Sequence, residues 1–418
     1  MADLTLLDAS WLGPDGRFHD GTLVVREGRL RLGEEPDPRA PTLDAAGLRV
    51  LPGAIDAHTH LREPGQEHKE GIERGTRAAL AGGVTTVLDM PDGVPPVDSE
   101  GTLERKRALF REKARTNWGL HVQAPFAGSA ARTASATVSL ARTSTLPALR
   151  ADQLAEIFRS HRRVAVFAED EAKFLPASAF MDKRSHHLQR PREAVASGLM
   201  ALEKALGSLP AQQRPRVVLC HMSTQLEVAW LERAKSMQWD VWGETCPHYW
   251  RLTERDYVLE GPRLKVDPPL RTEKDALAIL DAVACGTVDF VSSGHATHAP
   301  EEKEDEAGAL AGIPGLEWHL PLLLELVDQG HVGWPRLAEL AWANAARCYG
   351  IRGRAVIAEG MAADLVLVGK ASRPGPKPRP ITGAGYDPYP GHTFAFQVEA
   401  TVVGGSLQRS RGEEVFTE

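Results

Sequence analysis

This sequence is short of several things, and each shortage removes a class of function. It has four cysteines in 418 residues, Cys220, Cys246, Cys285 and Cys348, far apart and with no CxxC pair. That excludes a disulfide framework and a zinc ribbon, and it suits a reducing compartment, so a cytoplasmic location is expected. Positive charge is not in excess, since 49 Lys and Arg face 56 Asp and Glu for a formal net charge of −7. With no long basic block either, nucleic acid and anionic membrane surfaces are not expected partners. No apolar run reaches membrane-spanning length, and the opening MADLTLLDAS does not read as a signal peptide. Repeats of fixed period and low-complexity tracts are also missing, which argues against a solenoid.

What remains is ordinary enough to fold and unusual in one respect. Hydrophobic residues make up 42% and charged residues 25%, which supports a large core in one big α/β domain or two domains. The unusual count is 15 histidines, the commonest metal-ligating side chain.

Along the chain the texture changes twice. Leu4 to Leu7, Gly21 to Arg26 and Leu48 to Leu51 read as short strands between turn signals. From Pro52 a strand at Ala54 to Ala57 leads to a helix over Gln66 to Leu80, with Glu70/Arg74 and Glu73/Arg77 spaced for i, i+4 pairs, then a strand at Val84 to Leu88. Helix-then-strand alternation recurs at 154–167, 192–220, 225–245 and 273–292. Repeated βα units over about 300 residues predict a parallel sheet closed by helices, and a (β/α)₈ TIM-like barrel has that size. After Gly350 strands return at Asp364 to Val368 and Gln397 to Val403, around a Pro-rich connector at 372–380. The expected organisation is a barrel over 53–355 and a small β-sandwich domain built from both ends, 1–52 and 356–418.

Chemistry concentrates where apolar runs end. His58 and His60 close the run LPGAIDAHTH, and in a strand residues i and i+2 point to the same side, so both imidazoles reach one metal ion. An HxH pair alone is weak. Its position strengthens it, because barrels of this type collect their sites at the C-terminal ends of the strands. His221 follows RVVLC in the same way, and His295 and His298 follow DFVSSG.

The segments PGAIDAHTHLREPGQEHKE, CHMST, ETCPHYWRLT, LKVDPPLR, GHATHAPEEKE and GIPGLE, in this order, resemble the dihydroorotases of the cyclic amidohydrolase group. MAADLVLV, YDPYPGHTFAF and VEATVVGGSL near the C-terminus fit the same family, so the resemblance spans nearly the whole chain. It implies hydrolysis of a cyclic amide, interconverting dihydroorotate and carbamoyl aspartate in pyrimidine synthesis. It also implies one or two zinc ions, which supply the hydroxide nucleophile and polarise the ring carbonyl. By the same resemblance His58 and His60 match ligands of the first metal and His221 a ligand of the second. Arg62, Asp92 and His298 occupy substrate-binding positions, with Arg62 and His298 placed to hold a carboxylate.

Three positions and one stretch depart from that pattern. A ligand histidine of the family is Phe167 in VAVFAED, and a phenyl ring has no lone pair to donate. The aspartate of the family's DHAPH motif, ligand and general base, is Gly294 in GHATH. No lysine lies between Ala114 and Ala172 to serve as a carboxylated bridge, and of the acids there Asp152 and Glu156 sit in a helix-like stretch. The asparagine of the family's MPN motif is Asp92 in MPD, which is expected to set a negative charge against an anionic substrate. No catalytic residue is therefore assigned, and the donors left support at most one zinc ion.

Three functions stay open on these residues. Inactive homologues in this family serve as structural partners of aspartate transcarbamoylase, so a non-catalytic subunit of that enzyme is the leading expectation. An active hydrolase with a reduced, single-metal site acting on a small cyclic amide is the second. A carboxylate-sensing module is the third, and a homo-oligomer is compatible with all of them. The plain alternatives are that His221, His248 and His295 are ordinary hydrogen-bonded residues, that Glu169 and Asp170 cap a turn, that Glu301 to Glu306 is a solvated loop, and that Trp230, Trp239, Trp242 and Trp250 belong to the core or an interface.

Overall fold

In the computed structural model both ends of the chain meet in one sheet. The structure describes all residues except 1–2, 127, 130–131, 144–146, 177–178, 180–184, 306–307, 372–379, 408–414 and 416–418, so most of the Pro-rich connector lies outside the described residues. The N-terminal strands are β1 (Leu4–Leu12), β2 (Phe18–Arg26), β3 (Arg29–Arg31), β4 (Thr42–Asp44) and β5 (Arg49–Pro52). The barrel strands are β6 (Ala54–His60), β7 (Val84–Asp89), β8 (Asn117–Leu120), β9 (Val122–Gln123), β10 (Ala136–Ser139), β11 (Arg163–Phe167), β12 (Arg216–Leu219), β13 (Val241–Thr245), β14 (Phe290–Val291) and β15 (His295–Ala296). The chain closes with β16 (Leu365–Lys370), β17 (Phe396–Val403) and β18 (Ser406–Leu407).

The terminal strands form one continuous eight-stranded sheet, ordered β18-β17-β16-β5-β1-β2-β3, with β4 also on β1. β1 passes from β4 at Thr5–Leu7 to β5 at Ser10–Trp11, and the bulge between Leu6 and Ala9 holds Asp8 at φ 49°. A core of its own, including Leu6, Leu23, Leu30, Val50, Leu365 and Val402, lies under this sheet.

The barrel is parallel throughout, as the alternation predicts. β15-β6-β7-β8 form one run and β9 to β14 the other. Its strands are buried on both faces, which is why RVAVF and RVVL read as unbroken apolar stretches. The eighth strand position is interrupted: β14 ends at Val291, β15 begins at His295, and Gly294 between them sits at φ 62°.

The first barrel helix differs from its expected span. It runs Ile72–Ala81, because Gly71 at φ 92° turns the chain just ahead of it and the Glu63 carboxylate accepts from the Ile72 N–H at 2.9 Å. The expected i, i+4 pairs are replaced by longer-range partners. Glu73 bonds Arg115, while Glu70 is buried and accepts from Thr297, Thr382 and the Gly383 N–H. No helix among the described residues is long and apolar enough to cross a membrane.

Candidate functional site

At the C-terminal end of the barrel a cavity of about 360 Å³ opens, lined among others by His58, His60, Arg62, Asp92, Phe167 and His221. Strand alternation brings His58 and His60 to the same side, and their Nε2 atoms stand 3.2 Å apart. Each ring is aimed from behind by a carboxylate. His58 Nδ1 bonds Glu244, at 3.1 and 3.2 Å to the two oxygens, and His60 Nδ1 bonds Asp92 at 2.7 Å. A carboxylate accepts only, so both Nδ1 atoms donate and both Nε2 lone pairs face the cavity.

Two facing lone pairs at that distance repel unless a cation lies between them. A proton suffices. Burial works against a charged His58, but the Glu244 carboxylate outweighs it and holds its pKa above the usual value. Burial, with help from Arg62 and His58, brings His60 down to about 4 against the opposing field of Asp92. A single divalent ion fits the same place, since two nitrogens each about 2.0–2.1 Å from a tetrahedral ion stand about 3.3 Å apart. Carboxylates behind ligand imidazoles are the usual support of such a site. His221 offers a further donor: its Nδ1 is buried with no hydrogen-bond partner among the described residues, and its ring centre is 5.6 Å from that of His58. His221 and Arg62 are also two of the few non-glycine residues at positive φ, 41° and 63°, a strain that clusters at functional sites.

A second donor group of His58, Cys220 and Glu244 lies within 4.8 Å. We favour the cavity-facing pair instead. Glu244 is already bonded to His58 Nδ1, and burial pushes the Cys220 thiol well above its usual pKa, so it stays protonated and a poor ligand.

Around His221 the wall of the mouth is of a different kind. Phe167 stacks on His58 with ring centres 5.3 Å apart and planes 9° from parallel, and it lies 4.5 Å from the His221 ring. On the neighbouring strand Ser139 is in register with Phe167 and lines the cavity, so the strand between β9 and β11 presents a hydroxyl there. At Gly294 a Cβ would stand 2.7 Å from Cys246 Sγ and 2.9 Å from His248 Cε1. The first atom of any side chain at this position would therefore press on both neighbours.

The substrate-binding positions fall differently from expectation. Asp92 is no bare negative charge toward the cavity, because it is bonded to both His60 and Arg62, at 2.7 and 2.6 Å. Burial opposes its ionisation, yet those two partners bring its pKa to about 2. Arg62 lines the cavity but is committed to Asp92. His298 stands one layer behind: Nε2 bonds the Ala311 carbonyl at 2.9 Å, Nδ1 meets Lys69 Nζ at 3.2 Å, and burial holds its pKa at about 2.

Other residues of the reading settle into structural roles. His295 Nδ1 accepts from the Gly315 and Leu316 N–H groups, and Asp170 caps a short turn at Ala172. Glu169 is buried between Arg190 and Arg271. Glu302 of the acidic run pairs with Lys69, and residue 306 lies outside the described residues. His248 is buried with neither nitrogen bonded among the described residues, and burial brings it to about 3. Trp230 is buried, whereas Trp239, Trp242 and Trp250 are half-buried against the core.

Sequence reasoning missed Glu244, Arg190, Lys265 and Asp267. The available signal was an acid inside a barrel strand, VWGET, where burial demands a partner. On the cavity wall Asp267 accepts from Arg190 at 2.9 Å and pairs with His186 at 2.8 Å.

Comparison with known proteins places these features. The Amidohydrolase family pattern matches residues 49–172. A dihydroorotase of Streptomyces coelicolor is 31% identical, covering 97% of this chain and 100% of that protein. An allantoinase of Rubrobacter xylanophilus is 36% identical over 78% of this chain and 76% of its own. Among solved structures, the L-hydantoinase (dihydropyrimidinase) of Arthrobacter aurescens superposes with a TM-score of 0.85 at 24% identity, over 99% of this chain and 97% of that one.

Proposed function

The chain belongs to the dihydroorotase family of amidohydrolases, and from that premise we propose that it is a pyrimidine-pathway barrel with impaired catalysis, acting as a non-catalytic partner of aspartate transcarbamoylase. One observation carries the impairment. The carboxylates lining the cavity, Asp92, Glu169 and Asp267, are each held by an arginine, and the position that the family resemblance gives to the general base is Gly294. Amide hydrolysis needs a group that takes a proton from water and returns it to the leaving nitrogen, commonly worth on the order of 10²–10⁴ in rate. A carboxylate locked to a guanidinium holds its proton too weakly for that exchange near neutrality. The choice of partner rests on the family resemblance.

The test has two arms. Zinc-loaded protein is expected to show no dihydroorotate turnover above background, and the protein is expected to co-elute with aspartate transcarbamoylase on sizing. Turnover typical of an enzyme overturns the first statement, and separate elution at micromolar concentrations overturns the second.

A second reading is favoured by the paired Nε2 atoms and the orphaned His221 Nδ1: a hydrolase with one zinc ion held by His58, His60 and His221. A divalent ion there supplies Lewis acidity toward water and a ring carbonyl. The protein's own part is to aim the two imidazoles through Glu244 and Asp92. Stoichiometric zinc together with turnover, both lost in His58→Ala, supports this reading over the first.

A further inference from the structure

We propose that Lys265 is the anion anchor of the cavity, so that a small ring ligand carrying one carboxylate is held by this ammonium rather than by Arg62. The reasoning starts from which cations still have charge to offer. Four cationic side chains line the cavity, Arg62, Arg142, Arg190 and Lys265, against the carboxylates Asp92, Glu169 and Asp267. Arg62 is paired with Asp92, and Arg190 is shared between Glu169 at 2.6 Å and Asp267 at 2.9 Å. Arg142 is exposed, so its charge is screened by solvent. Lys265 alone of the four is half-buried with no hydrogen bond or ion pair from its ammonium among the described residues.

Such a group is costly to keep charged. Burial lowers its pKa, Asp267 and Asp305 offset this in part, and Arg190 works against them. An anion delivered by a ligand supplies the missing partner.

The backbone at this position is fixed, which limits the ordering cost on binding. The Lys265 carbonyl accepts from Lys303 Nζ and from the Gly312 N–H, both at 2.9 Å. Lys303 also donates to the carbonyls of Leu310 and Gly312, so the 309–312 segment lining the cavity is tied to the residue that would hold the ligand. This inference goes beyond the proposed function, since it requires neither turnover nor a protein partner.

The test compares dihydroorotate with 5,6-dihydrouracil, which differs only by lacking the carboxylate, by calorimetry on the zinc-supplemented full chain. The wild type is expected to prefer dihydroorotate by about 10-fold or more. Lys265→Met is expected to bring the two ligands within about 2-fold, mainly by weakening dihydroorotate, and Lys265→Arg to keep most of the preference. Lys265→Gln, with its thermal midpoint measured beside the wild type, separates lost binding from lost folding. No preference in the wild type, binding of neither ligand, or a preference that survives Lys265→Met overturns the proposal.

Discussion

The two sides of the cavity mouth are built on different principles. On the β6 side the polar side chains hold one another: Glu244 holds His58, and Asp92 holds both His60 and Arg62. On the side of β11, β12 and Gly294 the positions nearest His58 stand alone, whereas Glu169 beyond them is paired with Arg190 and Arg271. Phe167 needs no partner, Gly294 has no side chain, and His221 and His248 have nitrogens with none. A buried ion pair that loses one member leaves an uncompensated charge, so the first side resists piecemeal change. A lone ligand can become a phenyl ring or a glycine with no such penalty. Single substitutions should therefore cost more on the paired side than opposite it.

Acid is the strongest way to set the two sides against each other. His248 and His121, neither beside a carboxylate, are both lowered by burial from 6.5 to about 3, with the His58 charge adding to the effect. In the unfolded chain they titrate near 6.5, so their contribution is intact above that pH and is lost as pH falls from 6.5 toward 3. Each costs about 1.4 kcal/mol per pH unit across that window. His58 has the opposite sign: its raised pKa gives stability that is complete below 6.5 and is lost as pH rises through the folded value. Urea midpoints of metal-free protein from pH 8 to 4 are expected to fall steeply on the acid side, less so in His248→Phe. A flat acid limb would mean these imidazoles are solvated in the native state.

Next in size is Asp92→Ala. It strands a buried guanidinium and leaves His60 Nδ1 without its acceptor, and about 3–5 kcal/mol of stability should go with it. Chemical denaturation measures this directly. A loss under about 1 kcal/mol would make the pair equivalent to an exposed one and erase the contrast between the two sides.

Metal binding gives a smaller but more selective contrast. Glu244→Gln should weaken zinc about 10–100-fold, because the neutral amide no longer polarises His58 Nδ1–H. Phe167→Leu, on the opposite side, should leave zinc affinity within about 2-fold, since neither side chain donates a lone pair. Competition titration with a chelating dye reads both. Equal effects from the two substitutions would show that the ion sits elsewhere.

The fold was legible in the alternation of helix and strand patterns, and half of the candidate site in spacing along a single strand. HxH at the end of an apolar run places two imidazoles together, and RVVLC-His221 repeats the signal on another strand. What was not legible depends on contacts across strands. Glu244 meets His58 from 186 residues away, and the charge of Asp92 is neutralised by residues 30 and 32 positions earlier. The first barrel helix was drawn too long because Lys69 and Glu70, which look like exposed helical charges, are buried beside His298 and His295.

The smallest expected effect concerns whether position 294 can take a carboxylate. Gly294→Asp has to place a Cβ at φ 62° against Cys246 Sγ and His248 Cε1, so alone it should cost about 1–3 kcal/mol. Cys246→Ala removes the closer of those atoms. A double-mutant cycle of the two should therefore show a favourable coupling of about 1 kcal/mol, read from thermal or urea unfolding. Additive costs would mean that backbone strain at 294, and not the thiol, closes the position. With Phe167→His added to the pair, zinc affinity should rise while dihydroorotate turnover stays low, because Ser139 still presents only a hydroxyl where its strand faces the cavity. Full activity in that triple variant would show that a bridging carboxylate is not required on this scaffold.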